Sequence, residues 1–500
     1  MDFIQEIVIL LETFQVNKIE IIGNDKNSTT KLNQFFQGIK KGDIGSDEDA
    51  IKYLYQKNSN KASYNKLKSR LKEKLINSIF FLDTNHIHYT DIQRAYYYCH
   101  KNWAASRILF GRSAKESGVI LAEKTFKKSL KFEFTEIIIN LSRMLRLHFS
   151  TIKGSKRKYN YYNNLINEHL PILHAEIKAE EYYEELLIHF ANSKATKPNL
   201  AAIAYNYSQN LKSYKGVSSY NFLFFSHTIH VIRYEIINDH INVIKESSNA
   251  LIKLKKKPFT LRNQLFSFLI RKFSCYLKLG MFDEAKIVSR ECQETLVEGT
   301  VNWFKFHQFN FCLLTYTKNY HLIHQMITPV TNHPNLKFQS DNVKETWKII
   351  QAYTFFLYQR KKISKIENME QSKFKLGKYL NELPKFSKDK RGANIHILIT
   401  QILISLVQKK YDFIIDKTAA LSRYSTRYLR KDETYRSNCF IQILMNLQKG
   451  NFYKDSFLLY SKKYIKMLNK NPLYSANQSA EFEFIPFEYL LNDVIDLCRV

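Results

Sequence analysis

The chain has 500 residues, of which 45% are hydrophobic and 14% are aromatic, and it carries a formal net charge of +30. This apolar content excludes a disordered chain, and 13 glycines with 8 prolines are too few for a β-rich fold with many tight turns. The length exceeds one ordinary hydrophobic core, so we expect several domains or one elongated array of helical repeats. The charge favours an acidic partner or a nucleic acid, although lysines that only solvate helix surfaces would give the same excess.

Residues 1–90 are predicted to form a small helical domain. Ser46 and Asp49 have the spacing of a capping box, which predicts a helix over residues 47–55. A second helix, beginning near Tyr64, combines an apolar stripe with a basic remainder. Its cations are candidate contacts to DNA or another anion, with solvation of the helix surface as the alternative. These candidates are Lys66, Arg70 and Lys74.

Residues 91–195 are predicted to be a first helical-repeat segment. A long amphipathic helix begins near Phe132 and ends at Gly154. Basic and aromatic residues alternate after it, where tyrosines could stack on bases and cations could neutralise phosphates; the alternative is that these tyrosines pack against the next helix. The cations concerned are Lys156, Arg157 and Lys158. The polar segment 191–200, which contains Pro198, is the predicted linker.

Residues 196–500 are expected to form a helical solenoid organised around the segment 263–296. Apolar residues follow one helix face there, Gly280 ends the helix, and a second periodic run begins at Phe282. The pattern predicts a helical hairpin with the small residue Ala285 where its two helices approach closely. Similar corners, one near residues 360–365, recur with a period of about 40 residues. They fall at His240, Phe282, Tyr320, Tyr411 and Phe452, with Gly450 in the last one.

One group of residues in this hairpin resembles a divergent tetratricopeptide repeat. The group consists of Leu269, Phe273, Tyr276, Gly280, Phe282, Ala285 and Cys292. The chain departs from that pattern at Phe273, where a small residue is usual, and it lacks the closing proline. Four segments, residues 131–154, 302–320, 385–412 and 427–444, together resemble long tetratricopeptide-like proteins of the Bacteroidetes type, and this resemblance covers most of the chain. It implies a cytoplasmic bacterial helical-repeat protein and transfers no catalytic motif and no ligand. The period of about 40 residues predicts an all-α solenoid of about eight degenerate hairpins.

No cofactor or metal is expected from the motifs. The chain lacks the glycine-rich loops that bind phosphates. His227 with His230, and His321 with His324, are spaced for one helix face, but no carboxylate or thiol accompanies them at ligand spacing. The six cysteines are scattered, which predicts buried thiols in a reducing cytoplasm. The N-terminus does not have the pattern of a secretory signal, and no apolar run is long enough to predict a membrane span.

A further group of arginines has helical spacing beside two tyrosines: Arg423, Arg427 and Arg430. If the corners stack, these arginines and the cations at 156–158 could form a basic strip along one edge of the solenoid. The sequence therefore favours a non-enzymatic interaction scaffold that binds a protein or peptide through a concave or basic surface. The alternatives are a nucleic-acid-binding regulator, or a sensor or effector in a multi-protein system such as phage defence.

Overall fold

A computed structural model describes residues 30–41, 43–55, 61–79, 90–192, 197–363, 377, 379, 393–418, 435–473 and 483–500. Within these ranges the secondary structure is helical, apart from one isolated parallel bridge between Tyr453 and Arg499. The predicted all-α class is therefore confirmed for this part of the chain. None of the described helices is long and apolar enough to cross a membrane.

The chain divides into two compact units, Met1–His174 and Ala175–Val500. The domain boundaries expected after residues 90 and 195 remain predictions. In the first unit the helices are α1 (Lys31–Lys41), α2 (Asp47–Tyr55), α3 (Lys61–Ile79), α4 (Asp91–Gly111), α5 (Lys115–Lys131), α6 (Thr135–Thr151) and the first part of α7 (Lys156–Asn192).

One half of the predicted capping box is present at the start of α2, because the Asp49 side chain bonds to Gly45 and not to the N-cap residue Ser46. The Ser46 hydroxyl accepts a hydrogen bond from the Asp49 backbone N–H at 3.1 Å, and the Asp49 carboxylate accepts one from the Gly45 N–H at 3.3 Å. These bonds satisfy N–H groups that a helix start leaves without partners. A small core then joins α1, α2 and α3 through Phe35, Leu54 and Tyr64.

The second unit contains the rest of α7 and the remaining helices. They are α8 (Lys197–Asn210), α9 (Tyr220–Ile236), α10 (His240–Lys255), α11 (Arg262–Lys278), α12 (Phe282–Thr295), α13 (Val301–Tyr316), α14 (Ile323–Asn332), α15 (Asp341–Gln359), α16 (Ala393–Val407), α17 (Tyr435–Lys449), α18 (Lys454–Lys470) and α19 (Phe487–Leu497). Residues 411–418 are also helical. Consecutive helices such as α9 and α10, or α11 and α12, pack against each other.

One helix-ending turn recurs through the second unit. In each copy a residue with left-handed backbone follows the helix, and the next N–H donates to the carbonyl five residues earlier, which is the Schellman arrangement. Three examples are the bonds Asp239 to Tyr234, Met281 to Tyr276 and Asn319 to Leu314, at 3.0, 3.0 and 2.8 Å. The left-handed residues are Asn238, Gly280, Lys318, Lys361, Lys409 and Asn451.

These turns coincide with the corners predicted from the sequence. Five of the left-handed residues lie one or two positions before a predicted corner, and Lys361 lies within the segment 360–365. Gly280 therefore occupies a turn between α11 and α12, and Gly450 lies in the turn after α17. A Cβ at Gly450 would come within 2.7 Å of the Phe457 backbone nitrogen, so a side chain there would force the turn away from α18.

Ala285 and Phe452 are buried, as the hairpin interpretation expects, whereas Phe282 is only half-buried. The expectation that Phe282 lies buried between helices was wrong. Phe282 is the first residue of α12, and its ring meets Tyr316 edge-on at 6.4 Å between centroids. A side chain at a helix start has neighbours on fewer sides than one in the middle, which explains the partial exposure.

Ion pairs hold the C-terminal helix α19 in the second unit. Asp493 accepts hydrogen bonds from Arg360 at 3.1 Å and from Lys362 at 2.7 Å. The fully buried Arg436 donates to both carboxylate oxygens of Glu483, at 2.6 and 3.1 Å. A buried guanidinium needs such partners because an unpaired charge would be costly to desolvate.

All six cysteines are buried, as predicted from their scatter.

Candidate functional site

The candidate cations of the N-terminal helices lie on α3. Lys66 and Arg70 are exposed, and Lys74 is half-buried. Lys68, on the same helix, is already bound to Asp47 at 2.6 Å. The exposed cations thus have the solvent access that anion binding requires, but exposure alone is equally compatible with solvation.

The cations at residues 156–158 begin α7. Lys158 is engaged within the first unit, because its ammonium lies 3.1 Å from the Glu123 carboxylate and 4.9 Å from the centre of the Phe149 ring. Lys156 lies over its neighbour Tyr159, while Arg157 is exposed. Tyr162 is buried in the core of this unit, which matches the packing alternative for this segment.

Arg423, Arg427 and Arg430 lie outside the described residues. A basic strip that includes them therefore remains a prediction.

The structure shows a site that the sequence did not indicate, a cavity of about 570 Å³ in the second unit. We call it the basic pocket. Its cationic lining consists of Lys212, Arg233, Lys253 and Lys256. Its apolar lining consists of Val217, Phe222, Leu223 and Ile252. The rest of the ionisable lining consists of His227 and His230 on α9 and Glu246 on α10.

Helical spacing explains why these residues share one pocket. His227, His230 and Tyr234 follow each other by three and four positions, so they lie along one face of α9. On α10 and its C-cap residue the same spacing relates Glu246, Asn249, Lys253 and Lys256. The Asn238 turn joins the two helices, and the Asp239 side chain caps α10 by accepting the Asn242 N–H at 3.1 Å. The hairpin therefore brings two polar helix faces to the same cavity.

A histidine–glutamate pair joins the two helices at this pocket. His227 Nδ1 lies 2.5 Å from Glu246 Oε1, and since an ionised carboxylate can only accept, the imidazole donates. Burial opposes ionisation of Glu246, but the hydrogen bond from His227 and the charges of His227 and His230 outweigh burial and lower the pKa of this carboxyl. The only carboxylate of the lining is thus ionised and already hydrogen-bonded.

The electrostatics of His230 reflect the excess of cations around it. Burial lowers the pKa of its imidazole, Glu246 acts in the opposite direction, and His227, Arg233 and Lys212 lower the pKa further.

Arg233 is held in a fixed orientation. Its guanidinium carbon lies 4.5 Å from the centre of the Tyr205 ring and 5.0 Å from that of Tyr234. One of its N–H groups donates to the Ser208 hydroxyl at 3.2 Å. Aromatic contacts on the guanidinium and one hydrogen bond restrict its rotamers, so less conformational entropy is lost when it binds an anion.

The positive charge of the pocket is largely uncompensated within the described residues. Lys253 and Lys256 are exposed and have no salt bridge there, and Lys212 donates only to the neutral Gln209 side chain at 3.0 Å. Four cations therefore face one carboxylate, which is occupied by His227. Such a concave site concentrates positive potential and attracts anions.

The pocket offers binding groups more clearly than catalytic ones. Among the residues that the structure describes, no three His, Cys, Asp or Glu side chains are placed to hold a metal ion together. No Ser, Thr or Cys in those residues hydrogen-bonds to His227, although a histidine that activates a nucleophile needs that contact. Of the pair His227 and His230 that the sequence singled out, His227 contacts a carboxylate, but the sequence analysis did not identify Glu246 or Arg233. The sequence feature that could have indicated these two residues is the three-and-four spacing of polar residues on two consecutive helices.

The chain matches no protein-family model, and it finds no match among curated proteins or among solved structures. The functional argument therefore depends on the geometry and charge of the pocket.

Proposed function

We propose that this chain is a non-enzymatic helical-repeat scaffold whose basic pocket binds an acidic segment of a partner protein or peptide. The observation that carries the proposal is the excess of four cations over one internally bonded carboxylate in a single concave site. The apolar side chains of the same pocket offer contacts to the non-ionic parts of that segment. Charge complementarity of this kind gives an interface its specificity and raises its association rate.

The recurrent turn supports a solenoid in this proposal. Successive Schellman turns in the second unit are about 40 residues apart, a spacing typical of helical hairpin repeats. The tetratricopeptide-like residues around Gly280 fall at one of these turns. We therefore propose a degenerate, tetratricopeptide-like solenoid of about eight hairpins that follows a small helical N-terminal domain and acts in the cytoplasm.

A nucleic-acid-binding role is the second candidate. It is favoured by the exposed cations Lys66 and Arg70 on α3, a helix that carries further lysines. Phosphate contacts of this kind would make binding strongly dependent on salt.

The test measures binding of a fluorescent peptide that alternates glutamate and leucine, by anisotropy across a salt series. The pocket variant is Lys253→Glu with Lys256→Glu. Its matched control is Lys462→Glu with Lys466→Glu, two exposed lysines of α18, which changes the net charge by the same amount. We expect the pocket variant to lose about tenfold or more in affinity and the control to stay within about twofold.

An equal loss in both variants would mean that only net charge matters, and the pocket proposal would be wrong. A separate experiment tests the nucleic-acid-binding role. The double variant Lys66→Glu with Arg70→Glu is titrated with a single-stranded oligonucleotide. That variant should weaken oligonucleotide binding and reduce its salt dependence if α3 is the interface.

A further inference from the structure

We infer that the basic pocket recognises a phosphomonoester, carried either by a phosphorylated side chain or by a small phosphorylated molecule. The inference rests on the proposed binding of an anionic ligand at this pocket and specifies its chemistry. Three features of the pocket support it: the number of its cations, the fixed guanidinium of Arg233, and the room beside them.

The number of cations fits a dianion better than a carboxylate. A phosphomonoester carries a charge of about −1.5 to −2 and three strong acceptor oxygens, whereas a carboxylate has one charge and two oxygens. Lys212, Arg233, Lys253 and Lys256 line one cavity and repel each other. A dianion relieves more of this repulsion, and its tetrahedral oxygens can accept from several of these groups at once.

Arg233 supplies the donor geometry for such a group. Tyr205 and Tyr234 contact its guanidinium, and within the described residues only Ser208 accepts one of its N–H groups. The remaining donors lie in the guanidinium plane in a fixed fork, which matches two oxygens of a phosphate. A lysine ammonium at this position would supply the charge without the fork.

The His227–Glu246 pair reduces the repulsion that a dianion would meet in this pocket. A free carboxylate in the lining would repel phosphate, but the Glu246 oxygen nearest His227 is occupied by the imidazole N–H at 2.5 Å. His230 lines the same pocket as Arg233 and Lys212, and its imidazole can donate a ring N–H to a phosphate oxygen.

The size of the cavity points to an organic phosphate. A volume of about 570 Å³ falls in the range of small-molecule pockets and exceeds the size of a bare phosphate ion. Phe222 and Leu223 line it together with the cations, so the organic body of the ligand has an apolar surface to contact.

The test compares ligands on the full-length protein at constant ionic strength by isothermal titration calorimetry. The probes are an acidic phosphoserine peptide, the same peptide with glutamate at that position, adenosine monophosphate, and one oligonucleotide with either a 5′-phosphate or a 5′-hydroxyl. We expect a phosphomonoester probe to bind about tenfold or more tightly than the glutamate peptide. Preference for the phosphopeptide would identify a protein-borne phosphate, and preference for the nucleotide a small-molecule source.

If neither the phosphoserine peptide nor adenosine monophosphate bound more tightly than the glutamate peptide, this inference would be overturned and the proposed acidic partner would stay in place. Absence of binding by every probe would overturn both. Equal, dominant binding of the two oligonucleotides would show recognition of the nucleic-acid backbone and would also overturn the inference.

The variant Arg233→Lys keeps the positive charge at this position and removes the paired N–H donors of the guanidinium. We expect it to reduce phosphopeptide or nucleotide affinity about tenfold and to change binding of the glutamate peptide by less than about twofold. The control is Arg271→Lys on α11, whose guanidinium binds Glu235 at 3.1 Å and does not line the pocket. Loss of both ligand classes to the same extent in Arg233→Lys would contradict the role of the fork. The ligand comparison on the unmodified protein decides the inference independently if this variant folds poorly.

Discussion

Two consecutive hairpins of the second unit have the same turn and different interiors. The hairpin of α9 and α10 turns at Asn238, and the hairpin of α11 and α12 turns at Gly280. In each, the N–H after the left-handed residue donates to the carbonyl five residues earlier, at 3.0 Å in both cases. The backbone geometry that joins the helices is therefore independent of what the hairpin contains.

The α11–α12 hairpin is filled with apolar and small side chains, such as Phe273, Ala285 and Cys292. The α9–α10 hairpin also has an apolar core, but His227 and Glu246 pair beside it at the basic pocket. Desolvating an imidazole and a carboxylate costs free energy, and the neighbouring hairpin shows that the architecture does not require it. This difference is consistent with the proposal that the polar face of α9 and α10 serves binding, because packing alone does not require it.

The largest expected effect tests the apolar hairpin. Ala285→Leu should destabilise the protein by about 1–3 kcal/mol, because Ala285 is fully buried on α12 and the added atoms must displace its neighbours. Urea unfolding followed by circular dichroism measures the change. Arg290→Leu, at an exposed position of the same helix, is the control and should stay within about 0.5 kcal/mol. An unchanged midpoint for Ala285→Leu would mean that the interior of this hairpin is loosely packed.

The turns show how far the sequence alone could reach. Gly280 was predictable because glycine adopts the left-handed conformation without steric cost. Lys318, Lys361 and Lys409 adopt the same conformation at equivalent turns, but lysine has no such preference. The apolar runs after Lys318 and Lys409 predict their corners, and the period of about 40 residues alone predicts the corner near Lys361. The conformation itself is imposed by the packing of the two helices and by the Schellman hydrogen bonds.

The basic pocket was harder to predict for a related reason. His227 and His230 were recognisable as a pair on one helix face, yet the partner of His227 is Glu246 on the next helix. Only the rotation of α10 about its axis decides whether Glu246 faces α9, and a single sequence does not specify that rotation. Arg233 gains its fixed orientation from Tyr205 on α8, which is a third helix.

The next effect tests whether the two turns are equivalent. Gly280 has φ of 69°, where a β-branched side chain is strained, so Gly280→Val should cost about 1–2 kcal/mol or more. Asn238 has φ of 57°, and Asn238→Gly should be close to neutral because glycine adopts this conformation readily. Both are measured by thermal unfolding. If Asn238→Gly destabilised as strongly as Gly280→Val, the Asn238 side chain and not the backbone would hold the first turn.

The smallest effect concerns the contact between the two hairpins and depends on pH. His240 begins α10, and its Nδ1 lies 3.9 Å from Cys275 Sγ on α11. Burial, and then the charge of Lys278, lower the pKa of His240 from 6.5 to about 4, with Asp239 acting in the opposite direction. Because the folded protein favours the neutral imidazole, its contribution is complete above pH 6.5 and is lost as the pH falls towards 4.

His240→Gln should therefore reduce the loss of stability between pH 6.5 and 4, by about 1 kcal/mol at pH 5 once solvent screening of this partly exposed group is allowed for. His307 lies outside both hairpins and also has its pKa lowered by burial to about 4, so part of the acid sensitivity should remain.

Glu246→Gln should act in a different pH range, below pH 4.5. The lowered pKa of Glu246 contributes stability above that value, and this stability is lost on further acidification. Urea midpoints measured at half-unit pH steps separate the two windows. Identical pH profiles for wild type and His240→Gln would show that the imidazole is not buried between the hairpins.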